Sequence, residues 1–433
     1  MKRALVLIGG ILVLLLVGAG LFFFLPARLE AVQASPAQLT GQALIERGRY
    51  LTVASDCTAC HTVKGGQPFA GGLPFKLPFG TIYSTNITPD KETGIGSWSD
   101  AEFVRAMRHG VGKDGQNLYP AFPYSSFTKL STDDILAIRA YLATLEPVHQ
   151  TAPANTLSFP FNQRWLMRGW NLLFASKGPM APDPGQSPEW NRGRYLVEAA
   201  AHCGECHTPR NFLYGLSETR GYAGETTQGW KAYNISSDTR SGIGAWSVDE
   251  LAAYLAHGYA AGHGAAGGTM QEAVEMSLSK LTPQDIRAIA VYVKSLPPRS
   301  SDVTINRNPP AMAASSAYAP PANERPSGDL GLRVFEGSCA SCHGWNGEGL
   351  QAPIAALRGS RAANDPEGTN LMQIVLKGIQ VRTPEGSTFM PSFAKSHSDA
   401  EIAAVSNYVI QHFGGKQGKV TPKMVAEARV AGH

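Results

Sequence analysis

The sequence predicts an all-α protein in which three tandem domains of one type are joined by Pro-rich linkers and preceded by an N-terminal transmembrane helix or signal. Three observations support this prediction. One five-residue cysteine motif occurs three times, each copy is followed by a segment with helical periodicity and a helix start signal, and a single long apolar run opens the chain. The length of 433 residues suits about two to four domains of ordinary size.

Composition excludes several classes of protein. Apolar residues make up 43% of the chain without a strict period, which excludes a disordered chain and a collagen-like fibre. Only one apolar run is long enough to cross a bilayer, which excludes a polytopic membrane protein. The net charge of +4 is weak for this length and no Lys/Arg cluster occurs, so a nucleic-acid partner is not expected.

Residues 1–34 predict a membrane anchor or a signal. Lys2-Arg3 precedes an uncharged apolar run, Ala4–Leu25, that is long enough as a helix to cross the hydrocarbon core of a bilayer. A cleavable signal has a shorter apolar region of about 7–15 residues, which favours an uncleaved anchor. The small-residue pattern Val32-Gln-Ala34 keeps cleavage open as the alternative. In both cases the remainder of the chain is expected on the periplasmic side of the bacterial inner membrane.

All six cysteines fall in three copies of the motif C-x-x-C-H. The copies are Cys57-Thr-Ala-Cys60-His61, Cys203-Gly-Glu-Cys206-His207 and Cys339-Ala-Ser-Cys342-His343. In this motif both thiols bond to haem vinyl groups and the histidine is the proximal iron ligand. A zinc site or a redox dithiol is the alternative, but four zinc ligands would need a second pair nearby and the three motifs lie far apart. The motifs therefore predict three covalently bound haem c groups, with no cysteine left for a structural disulfide.

Helical segments flank each motif. The segments before the motifs are Glu46–Leu51, Asn191–Leu196 and Asp329–Phe335. The segments that close the repeats are Ile135–Leu145, Ile286–Leu296 and Ile402–Phe413, with start signals at Ser131, Thr282 and Ser398. Apolar residues recur at helical spacing in the closing helices, which indicates core-facing stripes. These helices resemble the terminal helix of class I cytochrome c, which crosses the N-terminal helix beside the haem.

Repeats one and two share a second block that repeat three lacks. Asn86–Trp98 matches Asn234–Trp246, with the same spacing from Asn to Trp. Proline-rich stretches, 146–188 and 297–326, follow these two repeats, and the second is interpreted as an extended linker. The first contains an aromatic helical segment, Phe161–Phe174, which either packs two domains together or forms a surface for the membrane or a partner.

The domain boundaries follow from these patterns. We expect an anchor or signal over 1–34, a class I cytochrome c domain over 40–148, a linker with the aromatic helix over 149–187, a second cytochrome c domain over 188–298, a Pro-rich linker over 299–326, a third cytochrome c domain over 327–415 and a C-terminal tail over 416–433. The third domain is the shortest of the three because it lacks the block from Asn to Trp.

The sixth iron ligand is expected to differ among the three haems. A distal methionine raises the haem potential and fills the sixth coordination position of the iron, as in electron-carrying cytochromes. Met390, in Met-Pro-Ser-Phe, is predicted for the third haem. Met270, in Gly-Gly-Thr-Met, is predicted for the second haem, with Met276 as the fallback. Phe122 stands at the matching position of repeat one, so the distal ligand of haem 1 is left unassigned: it is open, unusual or supplied from elsewhere.

Two residues of repeat one are weaker candidates for that ligand. His109 has a counterpart, His257, at the matching place of a repeat that also contains Met270, so His109 is expected to be structural. Met107 lies on the same predicted helix as His109 and is expected to be a core residue.

The motifs together resemble the three-haem cytochrome c subunit of membrane-bound bacterial dehydrogenases of the alcohol, aldehyde and gluconate dehydrogenase type. The resemblance rests on the order of the three C-x-x-C-H motifs, on Glu-Trp190-Asn-Arg-Gly-Arg-Tyr-Leu before the second motif and on Met390-Pro-Ser-Phe in the third repeat. It covers residues 40–415. It implies a subunit that accepts electrons from a periplasmic catalytic subunit, with its small subunits, and reduces ubiquinone in the inner membrane.

The resemblance leaves the type of catalytic partner open. Members paired with a pyrroloquinoline-quinone (PQQ) alcohol dehydrogenase or a flavoprotein sugar or sugar-acid dehydrogenase commonly have Met where Phe122 stands. The form Tyr119-Pro-Ala-Phe-Pro-Tyr124 and the N-terminal anchor resemble members paired with molybdopterin and iron–sulfur subunits that oxidise aldehydes or N-heterocycles. We therefore favour the molybdopterin type.

Three functions are compatible with these features. An electron-transfer subunit is favoured because three one-electron centres lie on one chain and no G-x-S-x-G, Walker or H-E-x-x-H motif occurs, so no catalytic residue is assigned. The alternative from another class is a haem enzyme that reduces peroxide or another small ligand at an open first haem, with His109 as its candidate acid/base residue. A stand-alone soluble carrier is the third hypothesis, and both the predicted anchor and the chain length disfavour it.

Overall fold

The computed structural model describes residues 2–25, 29–32, 35, 39–175, 178–305, 328–384 and 386–431. They divide into two compact units. The first unit comprises Met1–Pro182 with Glu198–His202, and the second comprises Asp183–Val197 with Cys203–His433, so repeats two and three belong to one unit. The chain is largely helical, as the sequence predicts. Short antiparallel hairpins, which the sequence analysis did not predict, accompany the helices in both units.

The first unit contains repeat one and the N-terminal apolar helix. Its helices and strands are α1 (Lys2–Phe24), α2 (Gly41–Ala54), α3 (Cys57–His61), β1 (Pro74–Leu77), β2 (Gly80–Tyr83), α4 (Asp100–His109), α5 (Tyr124–Phe127), α6 (Thr132–Leu142) and α7 (Met167–Phe174). A 3-10 turn, Arg164–Leu166, leads directly into α7. Within α1, Arg3–Phe24 is long and apolar enough to cross a membrane, and most of its side chains are exposed.

The second unit contains repeats two and three. Its helices are α8 (Pro188–Tyr195), α9 (Gly204–His207), α10 (Val248–His257), α11 (Thr269–Met276), α12 (Pro283–Ser295), α13 (Leu330–Ser338), α14 (Ala340–His343), α15 (Thr369–Lys377), α16 (Asp399–Gly414) and α17 (Pro422–Ala431). Its strands are β3 (Glu225–Thr227), β4 (Trp230–Ala232), β5 (Tyr259–Ala260), β6 (Gly264–Ala265), β7 (Ile379–Thr383) and β8 (Gly386–Met390), which pair as consecutive antiparallel hairpins. A five-residue π-helical segment, Leu196–Ala200, extends α8.

One helix crossing recurs in every repeat. The helix before each motif packs against the helix that closes the repeat: α2 against α6, α8 against α12 and α13 against α16. At each crossing a glycine of the first helix faces a backbone carbonyl of the second. A Cβ atom would lie 1.8 Å from the Ala137 oxygen at Gly48, 2.0 Å from the Ala288 oxygen at Gly193 and 2.4 Å from the Ala404 oxygen at Gly331. A side chain would therefore force the helices apart.

The predicted start signals of the closing helices are confirmed. The side-chain oxygens of Ser131, Thr282 and Ser398 each accept a hydrogen bond from the backbone N–H three residues later, and α6, α12 and α16 each begin at the next residue. In the first two repeats the residue at that third position is an aspartate that binds an arginine of the crossing helix. The pairs are Arg47–Asp134, at 2.9 Å, and Arg192–Asp285, at 2.6 Å.

Two segments outside the predicted cytochrome c domains pack against the helices and strands of the repeats. Residues 155–158 lie in the predicted first linker but pack against the β1–β2 hairpin, where the Thr156 amide donates to the Thr81 carbonyl at 2.9 Å. The segment after residue 415, expected to be a tail, contains α17, whose Val425 is fully buried against α16. Residues 306–326 of the Pro-rich linker and residues 33–34 of the cleavage pattern lie outside the described residues.

Candidate haem-binding sites

Each C-x-x-C-H motif lies on a short helix that follows the first helix of its repeat. The three histidines end α3, α9 and α14. No two of the six cysteines form a disulfide in the part of the chain that the structure describes. Burial raises the pKa of Cys203 to about 12 and that of Cys339 to about 11, and it raises the pKa of Cys57 as well. The first cysteine of each motif therefore lies in surroundings that suit an apolar ring better than a charged metal ion.

The three histidines share one hydrogen bond. Nδ1 of His61 donates to the Thr85 carbonyl at 2.6 Å, Nδ1 of His207 to the Tyr233 carbonyl at 2.7 Å and Nδ1 of His343 to the Ala355 carbonyl at 2.5 Å. A carbonyl oxygen only accepts hydrogen bonds, so the proton lies on Nδ1 and the lone pair is left on Nε2. An iron-ligating imidazole needs this tautomer.

The imidazoles are also neutral. Burial lowers the pKa of His61, His207 and His343, in the case of His207 to about 4, and repulsion by the Arg361 guanidinium contributes to the shift at His207. A metal ligand must be unprotonated at the coordinating nitrogen. The protonation state, the tautomer and the adjacent cysteine pair together fit covalently bound haem c in every repeat.

The block shared by repeats one and two positions two of the accepting carbonyls. Asn86 follows Thr85, and its buried side-chain amide donates to the Val148 carbonyl at 2.7 Å. Asn234 follows Tyr233, and its buried amide donates to the Arg299 carbonyl at 2.5 Å. Each asparagine therefore ties the segment under its histidine to the chain that follows the closing helix of its repeat. In repeat three, which lacks the block, the 3-10 turn Pro353–Ala355 supplies the carbonyl instead.

The predicted distal methionines lie in different local structures. Met390 is half-buried at the end of β8, opposite Ile379 of β7. The backbone just before β7 lies close to that of Met390: a Cβ atom added at Gly378 would be 2.4 Å from the Met390 carbonyl oxygen. Met270 and the fallback Met276 are both half-buried in α11. Six residues of helix separate them by about 9 Å along the axis, so they cannot occupy one coordination position.

The three residues singled out in repeat one lie in different surroundings. Met107 is buried in the core on α4, and His109 is exposed at the end of the same helix, as His257 is at the end of α10. Phe122 is half-buried and packs against Phe127, with ring centroids 5.5 Å apart.

Arg361 is a site residue that the sequence analysis missed. It belongs to repeat three, but its guanidinium donates to the Asn234 carbonyl at 2.8 Å and the Gly242 carbonyl at 2.7 Å, both in repeat two. It also lies 5.8 Å from the ring centroid of Trp246. These partners are separated from Arg361 by more than a hundred residues of sequence, so no local pattern could have identified the contact.

These helical repeats, each with a C-x-x-C-H segment and a neutral imidazole whose Nε2 is free to bind iron, define a c-type cytochrome. Comparison with protein families agrees: residues 45–146 match the family "Cytochrome c", and residues 326–409 match "Cytochrome C oxidase, cbb3-type, subunit III".

Curated relatives extend over most of the chain. It is 38% identical to the fructose dehydrogenase cytochrome subunit of Gluconobacter japonicus, over 93% of this chain and 86% of the relative. It is 40% identical to the gluconate 2-dehydrogenase cytochrome c subunit of Pantoea cypripedii, over 89% of this chain and 90% of the relative. It is 43% identical to a nicotinate dehydrogenase subunit of Pseudomonas putida over 90% of this chain, but it spans only 32% of that relative's length. The chain belongs to the family of cytochrome c subunits of membrane-bound dehydrogenases.

Proposed function

We propose that this chain is a three-haem electron-transfer subunit of a periplasmic membrane-bound dehydrogenase. It accepts electrons from a catalytic subunit and passes them to ubiquinone. The observation that carries the proposal is the hydrogen bond from Nδ1 of a motif histidine to a backbone carbonyl. It occurs beside the cysteine pair in every repeat, so each repeat has the residues to hold one haem.

The proposed roles follow the motifs. The six cysteines hold the haems covalently: Cys57, Cys60, Cys203, Cys206, Cys339 and Cys342. Proximal ligands are His61, His207 and His343, and distal ligands are Met270 for the second haem and Met390 for the third. Bound haem supplies one-electron redox chemistry. The protein residues fix the ring nitrogen that faces the iron and tune the potential through nearby charges.

The balance of electrons fits a relay. Oxidation of an organic substrate in the partner subunit releases two electrons and two protons, and the electrons leave one at a time because each haem carries one. Reduction of ubiquinone to ubiquinol takes up two electrons and two protons. No residue of this chain is required to react with the substrate itself.

The type of partner is the finer part of the proposal. We favour a molybdopterin dehydrogenase with an iron–sulfur subunit, supported by Phe122 at the place of the expected methionine and by the similarity to a nicotinate dehydrogenase subunit, since nicotinate is an N-heterocycle. The alternative is a PQQ alcohol or flavoprotein sugar-acid dehydrogenase. It is supported by the similarity to subunits of fructose and gluconate dehydrogenases.

The proposed location is the periplasmic face of the inner membrane, with α1 as an uncleaved anchor. Arg3–Phe24 is 22 residues long, which as a helix is about 33 Å and matches a bilayer core of about 30 Å. The positive residues at its N-terminal end would remain in the cytoplasm.

One experiment tests the redox part of the proposal. The full chain, purified in detergent from a host that matures c-type cytochromes, is analysed by intact mass, by reaction of the reduced protein with a ubiquinone analogue and by carbon monoxide difference spectroscopy. We expect the mass of three haems and prompt reoxidation by the quinone. Fewer haems, or no reoxidation, would contradict the relay. Carbon monoxide binding together with turnover of peroxide would instead favour the alternative of a small-ligand-reducing enzyme at the first haem.

A further inference from the structure

The first unit exposes an apolar surface around α7. Five large side chains contribute to it, with these exposed fractions: Phe159 79%, Phe161 43%, Trp165 36%, Leu172 61% and Leu173 66%. We call this set the α7 surface. Several large apolar side chains exposed within one short segment of a folded protein indicate a site of interaction.

The opposite side of α7 is fixed to the first unit. Asn171 accepts a hydrogen bond from the Tyr124 hydroxyl at 2.6 Å, and Trp170 packs edge-on against the same tyrosine. Met167 packs against the small cluster formed by Ile82, Tyr119 and Leu157. The helix therefore already has its core-facing side chains, and Leu172 and Leu173 are additional apolar groups that the core does not use.

The α7 surface is continuous with the end of the apolar helix α1. The ring of Phe23 meets Trp165 edge-on at 5.2 Å, and the ring of Phe24 lies 5.6 Å from the same tryptophan. The guanidinium of Arg168 lies 5.5 Å from the Phe22 ring centroid and donates to the Leu25 carbonyl. The last turn of α1 and the exposed side of α7 thus form one apolar surface.

We propose that the α7 surface is embedded in the periplasmic leaflet of the phospholipid bilayer. The proposal rests on the proposed role of α1 as an uncleaved anchor, because the end of a spanning helix lies at the level of the lipid headgroups. Tryptophan and arginine beside exposed leucine and phenylalanine are the composition of an interfacial helix. The surface would hold the first repeat against the membrane, where a lipid-soluble electron acceptor resides.

Site-directed spin labelling tests this directly. The native cysteines are all expected to be blocked by haem, so a cysteine introduced by Leu173→Cys is the thiol that a nitroxide reagent labels. The matched control is Val430→Cys, an exposed apolar residue, 76% accessible, on α17 of the second unit. The labelled full-length proteins are reconstituted in vesicles of phosphatidylethanolamine and phosphatidylglycerol. Collision rates are then measured with oxygen, which concentrates in lipid, and with a water-soluble nickel chelate.

We expect the ratio of oxygen to nickel collisions to be several-fold higher at position 173 than at position 430. The label at 173 could instead be as accessible to nickel as the label at 430, in protein that stays in the vesicles after alkaline washing. That result would overturn the lipid contact of the α7 surface while leaving the anchor intact. Shielding from both reagents would show that protein, not lipid, covers the surface and would also overturn the proposal. Release of the chain by the alkaline wash, with a water-exposed label, would overturn the anchor and the lipid contact together.

Discussion

The proton on Nδ1 of each motif histidine is held by a backbone carbonyl rather than by a side chain. A carbonyl cannot change its protonation state, so the tautomer stays the same across the physiological pH range and during redox cycling. The sequence supplies this carbonyl in two ways, through the Asn-initiated block in repeats one and two and through a 3-10 turn in repeat three.

The distal ligand of the second haem can be assigned by two matched substitutions in α11. Met270→Leu should lower the midpoint potential of one haem, by on the order of 0.1 V within the ~0.8 V that axial ligands span, and should remove a methionine-to-iron charge-transfer band from the ferric spectrum. Met276→Leu should leave both unchanged. Redox titration with optical detection measures the effect, and the opposite pattern would assign Met276 as the ligand.

Arg361 should raise the potential of the second haem. A fixed positive charge disfavours the ferric state, which carries one more positive charge than the ferrous state, and Arg361 already acts on His207 electrostatically. Arg361→Gln should shift the reduction equilibrium of one haem by up to about tenfold towards the oxidised form, equivalent to about 59 mV. Arg287→Gln, at an exposed arginine of the same unit, is the control. Equal potentials in wild type and Arg361→Gln would show that the charge is screened.

At the scale of elements, the glycine at each helix crossing sets how closely the two helices approach. Gly331→Ala in α13 should destabilise the protein by about 1–3 kcal/mol, because its Cβ would lie 2.4 Å from the backbone oxygen of Ala404 in α16. Gly337→Ala, in the same helix, meets no atom within 4 Å and should be neutral or stabilising by up to about 1 kcal/mol. Chemical denaturation of both variants measures the difference. Equal stabilities would mean that the crossing relaxes without cost.

Elements with local signals could be predicted from the sequence. The caps at Ser131, Thr282 and Ser398 indicated the starts of three helices, because a capping side chain contacts an amide only three residues away. The C-x-x-C-H motifs could likewise be interpreted locally, because the two cysteines and the histidine lie within five consecutive residues. The role of the Asn-to-Trp block was missed, although its repetition was visible, since its use depends on where His61 and His207 lie after folding.

Features that depend on distant contacts could not be predicted. The hairpins are only two to five residues per strand, too short for an alternating pattern. The packing of α17 on α16 depends on Val425 finding a site formed by earlier helices. Arg361 resembles an ordinary surface cation in the sequence, and only the assembled second unit brings it to the carbonyls of Asn234 and Gly242.

At the scale of the whole molecule, the chain combines a membrane-spanning candidate, one cytochrome c repeat in the first unit and two repeats in the second. The contact made by Arg361 lies within the second unit and ties repeat three to repeat two. This organisation agrees with the proposed relay, in which a partner polypeptide oxidises the substrate.

The most direct test of the central claim is affinity purification of the tagged full-length chain from detergent-solubilised membranes of the native host, with mass spectrometry of the proteins that accompany it. The account predicts a dehydrogenase catalytic subunit in stoichiometric amount, of the molybdopterin type with an iron–sulfur subunit. A quinoprotein or flavoprotein partner would retain the electron-transfer role and correct the type of partner. Recovery of the haem-loaded chain with no dehydrogenase subunit would contradict the account.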